Sequence, residues 1–194
     1  STKDGKTVLD TKSATLIIKE KDTPPIPVEK EDIDTSGMEY LGLAVVYDGT
    51  PKYVTVKAGT IPTGIKEVVF VNNGNTVAGE HEIEVQFKVT DETKYNVPSS
   101  IKLTQTIYDL RNVSFESDFE TETEGKFVIT ADGKDHGIYL VGVPSGLKVS
   151  YTDANGNTFT SKYVQSAAGT YDVTATISTK DGKTVLDTKS ATLI

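Results

Sequence analysis

The chain has two imidazoles, His81 and His136, among its 194 residues, and no cysteine. Without cysteine there is no thiolate nucleophile, no disulfide and no thiolate metal site. His81 falls in the inward series of an alternating run, at a place taken by Tyr171 in a similar run further on. It reads as a core or rim histidine with one hydrogen-bond partner. His136 stands in "GKDHG", beside a turn. No Gly-x-Ser-x-Gly elbow, phosphate loop or dinucleotide fingerprint occurs. Carboxylates are plentiful, but nothing anchors two of them as a general acid–base pair. In "DANGN", Asp153, Asn155 and Asn157 alternate as the ligands of a calcium loop do. The glycine comes one place early, however, and no glutamate follows at the distance an EF-hand loop needs. A tight Asn-Gly turn accounts for the same residues. An isopeptide cross-link would need a lysine, an asparagine or aspartate and an acid buried together, and sequence locates no such trio. The expectation is a protein that is not an enzyme, with no catalytic residue, no metal and no cofactor.

A contact surface is the remaining chemistry. Tyr53, Tyr95, Phe159 and Tyr163 are able to stack on a sugar or pack on a partner, because an aromatic ring joins an apolar body to a polar handle. The plainer reading, that they plug the ends of β-sandwiches, is preferred. The long connection Thr152 to Ala167 is the best single place for ligand contact, since binding residues concentrate on loops held by a rigid scaffold. Its candidates are Asp153, Asn155, Asn157, Phe159 and Tyr163.

These residues sit among strands. In "GEHEIEVQFKVT" (79–90), His81, Ile83, Val85, Phe87 and Val89 alternate with charged or polar residues, the signature of a half-buried strand. "YVTVKA" (53–58), "KEVVFVN" (66–72) and "SIKLTQTIY" (100–108) read alike, rich in β-branched residues suited to a pleated surface. "NNGN", "ANGN" and "KDGK" supply the Asn-Gly and Asp-Gly pairs of tight hairpins. No long stretch has helical period.

The first seventeen residues, "STKDGKTVLDTKSATLI", recur letter for letter at 178–194, an offset of 177. A tandem array of that period is the simplest source. Within it lies a weaker repeat: 47–71 aligns with 131–152, and "AGEHEIEVQF" (78–87) with "AGTYDVTATI" (168–177). The expected organisation is a tail of a preceding repeat (1–17), a first β module (18–108, opening on a Pro-rich connector, 18–28) and a second (109–194). The N-terminal copy would then be a strand without its own module, able to displace a neighbour's C-terminal strand. Net charge is −8, from 28 acidic against 20 basic residues, and the basic residues form no cluster. That excludes the usual nucleic-acid and anionic-membrane binders, whose targets are themselves negative. No stretch approaches the roughly twenty apolar residues of a membrane span.

The modules resemble the YDG/MBG-type tandem β repeats of bacterial surface proteins. The resemblance rests on Tyr47, Asp48, Gly49, Pro62, Gly64, Asn73, Gly74, Ala78, Gly79, Tyr95 and Asn96 in the first. In the second it rests on Asp132, Gly133, Pro144, Gly146, Asn155, Gly156, Ala168, Gly169 and Tyr171. His81 and Ala131 depart from the pattern, where tyrosines would stand, and the second module lacks the Tyr-Asn element. The resemblance implies an all-β fold: two β-sandwich (Ig-like) modules end to end, with β-grasp-like modules as the alternative. It also implies a non-catalytic stalk segment of an extracellular, cell-wall-anchored adhesin, from a Gram-positive bacterium. Its partners would be neighbouring repeats of the same chain, and the chain itself a monomer. The alternative function is a repeated adhesive module that binds host or microbial glycans such as mucin, or matrix proteins, by avidity.

Overall fold

A computed structural model describes residues 12–18, 28–119, 122–123 and 125–194. Residues 1–11 of the N-terminal copy, most of the Pro-rich connector, and residues 120, 121 and 124 lie outside the described residues. The fold is all-β, of sandwich type. Among the described residues there is no helix, so the β-grasp alternative lacks the element that defines it.

Six strands lie before residue 109: β1 (Tyr40–Leu41), β2 (Ala44–Val46), β3 (Thr55–Val56), β4 (Ile65–Val71), β5 (Gly79–Val89) and β6 (Ile101–Tyr108). They form a four-stranded sheet, β2-β6-β5-β4, and a β1-β3 pair. Nine follow: β7 (Ser114–Ser117), β8 (Glu122–Thr123), β9 (Lys126–Phe127), β10 (His136–Val141), β11 (Leu147–Asp153), β12 (Thr158–Phe159), β13 (Tyr163–Gln165), β14 (Tyr171–Thr179) and β15 (Val185–Leu193). They form a six-stranded sheet, β12-β11-β14-β15-β9-β8, and a three-stranded one, β13-β10-β7. Both halves share one device. A short early strand runs parallel to the last strand, β2 beside β6 and β9 beside β15, while the first strand of each half, β1 or β7, pairs outside that sheet.

Alternation builds the cores. Ile83, Val85, Phe87 and Val89 point inward from β5, and Val173, Ala175 and Ile177 from β14. In the C-terminal half, Phe115, Ile138 and Tyr163 from the small sheet meet Tyr151, Ala191, Leu193 and Phe127 from the large one. In the N-terminal half, Val85, Phe87 and Val89 pack with Ile65 and Met38, flanked by Tyr40 and Val56 from the β1-β3 pair.

Two expectations change. The strand expected over 53–58 is only Thr55–Val56. Its Val54 is bound instead by a side chain: Asn73 Oδ1 accepts from Val54 N at 2.8 Å, and Asn73 Nδ2 donates to Val54 O at 2.9 Å. The connection Thr152–Ala167 is not a loop throughout, since it carries β12 and β13. Asp153 starts the hairpin by accepting from the backbone of Asn155 and Asn157, both at 2.9 Å.

Candidate functional site

The sequence places the join between its two modules near "YDLRN" (108–112), with almost no linker, and the structure builds an apolar joint there. Asp109 and Asn112 are turn formers, and Val113 N donates to Leu110 O at 3.1 Å to close the turn. Asp109 ties the turn from within. Its Oδ1 accepts from Arg111 N (3.1 Å) and Nε (2.9 Å), and its Oδ2 from an Arg111 terminal nitrogen at 2.6 Å. The Arg111 side chain holds the Asp109 carboxyl down at about 2. The same guanidinium lies 4.6 Å from the centre of the Tyr47 ring, a cation–π contact reaching back to the loop after β2.

This turn presses Leu110 and Val113, each 4% exposed, into a small core of their own. Ile177 is its third buried member. Val46 and Tyr108 join it from the N-terminal half; Leu140, Val143, Leu147, Val149 and Leu186 join from the C-terminal half. Gly142, at φ 71°, lets the chain pass close: a Cβ there would collide with the Asn112 carbonyl oxygen. The expected junction, Tyr108 to Val113, is therefore one wall of this site. The opposite wall includes Val143 and Leu147, at either end of the turn Pro144–Gly146, and their apolar side chains are the one local sign of it in the sequence.

The expected contact residues are placed differently from one another. Asp153, Asn155 and Asn157 stand together in the β11–β12 turn, where Asp153 Oδ2 also accepts from Asn157 Nδ2 at 2.9 Å. Those bonds spend the carboxylate on its own turn and hold it below its ordinary range. Phe159 is half-buried and meets the Tyr163 ring edge-on, with centres 5.0 Å apart. Tyr163 is fully buried in the C-terminal core, so it offers no surface to a ligand. Tyr95 is half-buried against the N-terminal core, and Tyr53 is 60% exposed.

The histidines hold turns. His81 Nε2 lies 2.7 Å from Val77 O. His136 Nε2 lies 2.9 Å from Asp132 Oδ1, and this contact holds the Asp132 carboxyl at about 2. His136 also lines a cleft of about 220 Å³ with Ile129, Ala168, Tyr171 and Ile194. Among the described residues no three His, Asp or Glu side chains gather to hold a metal ion. An isopeptide trio would be buried, and the buried polar side chains among the described residues are Gln105 and Ser178.

Fold and joint together define an all-β, sandwich-type chain whose two halves share an apolar seam. No family model matches the chain, and neither a curated protein nor a solved structure is similar to it.

Proposed function

We propose that this chain is a non-catalytic structural repeat of a bacterial cell-surface adhesin, an extracellular stalk segment that projects a binding tip from the wall. The observation that carries this reading is the identical seventeen-residue string at an offset of 177. Near-perfect tandem copying suits a protein whose task is length, because each added period contributes the same increment. The apolar seam supports it: Leu110, Val113 and Ile177 join two halves by packing instead of leaving them on a loose tether. Such packing resists bending, since interiors are dense and deform little. Exposed Glu80 and Glu82 on the outer face of β5 keep that face solvated. Lys66 and Glu67 put charge on β4, an edge strand, which discourages edge-to-edge pairing.

A strand of ten residues spans roughly 33 Å, so two aligned sandwiches add on the order of 70 Å per period. Small-angle scattering of a two-period chain, residues 18–194 followed by a second copy, tests the reading. A rod whose length grows by about that increment with each added period is expected. A compact, folded-back profile would overturn it, and a screen against glycans and matrix proteins would then come next.

A further inference from the structure

Each half carries a parallel pair of strands that the path of the chain loads lengthwise. In the N-terminal half the chain passes early through β2 and leaves through β6. These pair in parallel, Ala44 with Thr106, Val45 with Ile107 and Val46 with Tyr108. The ladder is closed at both ends: Thr106 N donates to Leu43 O at 2.7 Å, and Tyr47 N donates to Tyr108 O at 2.8 Å. A side chain adds to it. Gln105, with no exposed surface, donates from Nε2 to Gly42 O at 2.9 Å, just ahead of β2. In the C-terminal half β9 comes early and β15 last, with Thr192 beside Lys126 and Leu193 beside Phe127. There Thr192 N donates to Gly125 O at 3.1 Å, Ile194 N to Phe127 O at 2.8 Å and Ile129 N to Ile194 O at 2.9 Å.

Tension along the chain draws an early strand toward its N-terminal end and a last strand toward its C-terminal end. Antiparallel neighbours present those two ends side by side, so pulling opens the ladder like a zipper, a bond at a time. Parallel neighbours present them at opposite ends. The strands must then slide past each other, and the evenly spaced bonds between them share the load. Packing resists the slide as well. A slip of one residue turns inward side chains to the other face, and Ile107, Phe127 and Leu193 are all buried. The two-residue β1–β3 pair lies upstream of β2, so its loss leaves the β2–β6 ladder intact.

We propose that the β2–β6 and β9–β15 pairs are mechanical clamps through which this chain bears tension along its length. The use of that property on a surface rests on the stalk reading; the property itself does not. The clamps stand in series. Load leaves the first at Tyr108 and reaches the second half through the turn 109–112, whose Leu110 is packed into the seam. The chain therefore keeps its folded length under tension until a clamp gives, and then releases one half at a time. The N-terminal half, opened from residue 31 to 108, frees on the order of 250 Å at about 3.3–3.6 Å per residue.

The absence of cysteine lets the direction of pulling be chosen by where cysteines are introduced. Single-molecule force spectroscopy of the full chain, held by handles at its two ends, is expected to show one high-force opening for each half. Handles on Lys66→Cys and Thr90→Cys, both exposed, pull instead on the open end of the antiparallel β4–β5 hairpin, where Ile65 stands opposite Val89. A several-fold lower force is expected there. Tyr47→Pro removes the N–H that closes the β2–β6 ladder, and should weaken one end-to-end opening while leaving the other and the 66–90 geometry unchanged. Ile129→Pro should weaken the other. Asn73→Ala is the control: it destabilises the N-terminal half away from the loaded pair, so unfolding in denaturant should come earlier while the opening force stays. Equal force in the two pulling geometries overturns the proposal, as does a loss of force with Asn73→Ala as large as with Tyr47→Pro. Should Tyr47→Pro fail to fold, the two geometries, compared with both ladders intact, still decide. A rod in scattering that opens at equally low force in both geometries ends the clamp and leaves the stalk reading. A folded-back profile with a strong clamp does the reverse.

Discussion

The two halves use one strand plan and fill it differently. Val54 and Ile138 occupy equivalent places, each with no exposed surface. In the C-terminal half, Ile138 pairs by its backbone with Tyr163 of β13. In the N-terminal half no strand stands there, and the Asn73 side-chain amide bonds the N–H and C=O of Val54 in its place. One half meets an obligatory backbone requirement with a strand, the other with a single amide. The strand brings a bonus. Tyr163 arrives with it, and the C-terminal core becomes aromatic, with Phe115, Phe127 and Tyr151 around it. The N-terminal core stays largely aliphatic, and the corner beside Asn73 is polar, with Asn75 Nδ2 lying 3.5 Å from the Oε1 of buried Gln105. An insertion that looks like a loop can therefore decide what a core is made of.

Tyr163→Ala should be the most damaging way to break this comparison. Truncating a fully buried aromatic costs about 3–5 kcal/mol. Denaturant unfolding is expected to show the C-terminal half melting early while the N-terminal transition stays put. Equal loss in both halves would mean that they unfold as one.

Asn73→Ala is the mirror experiment. It leaves the Val54 N–H and C=O without partners, at about 1–3 kcal/mol for each buried group. Hydrogen exchange at the Val54 amide should rise sharply, and the N-terminal transition should fall. Unchanged protection would show that the amide is not standing in for a strand.

Leu110→Ala acts on the seam and not on either half. A loss of about 2–3 kcal/mol is expected, together with separation of the two unfolding transitions. Arg111→Ala is the milder companion: it frees Asp109 and removes the contact with Tyr47, and should loosen the joint without melting either core.

The smallest effect sharpens a detail that the halves share. Asp48 accepts from Lys52 Nζ at 2.6 Å as Asp132 accepts from His136, four residues on in each case. Both carboxyls are held below the ordinary range, the Asp132 one at about 2. A depressed carboxyl contributes stability that is fully present above its unfolded value, about 3.9, and is lost as pH falls through the folded value. For Asp132 that window closes near 2. Carbon-detected titration should find Asp132 there, and His136→Ala should move it back toward the ordinary carboxylate value.

Local chemistry was legible in the residues alone. The alternation through β5 and β14, the tight turns at Asn155-Gly156 and Asp181-Gly182, and the repeat offset of 177 all follow from side-chain order and backbone preference. Both glycines indeed take positive φ. Those properties belong to a few neighbouring residues, so sequence carries them. The burial of Tyr163, the substitution of Asn73 for a strand and the far wall of the joint depend on partners distant along the chain, and no local pattern encodes them. The repeated string states the limit most directly. Leu16 is 84% exposed and Leu193 3%, within identical sequences. What the string can become was fixed by its own residues. Whether Leu16 or Leu193 is buried was decided by β14 and β9, which offer the strand carrying Leu193 hydrogen bonds and an apolar face.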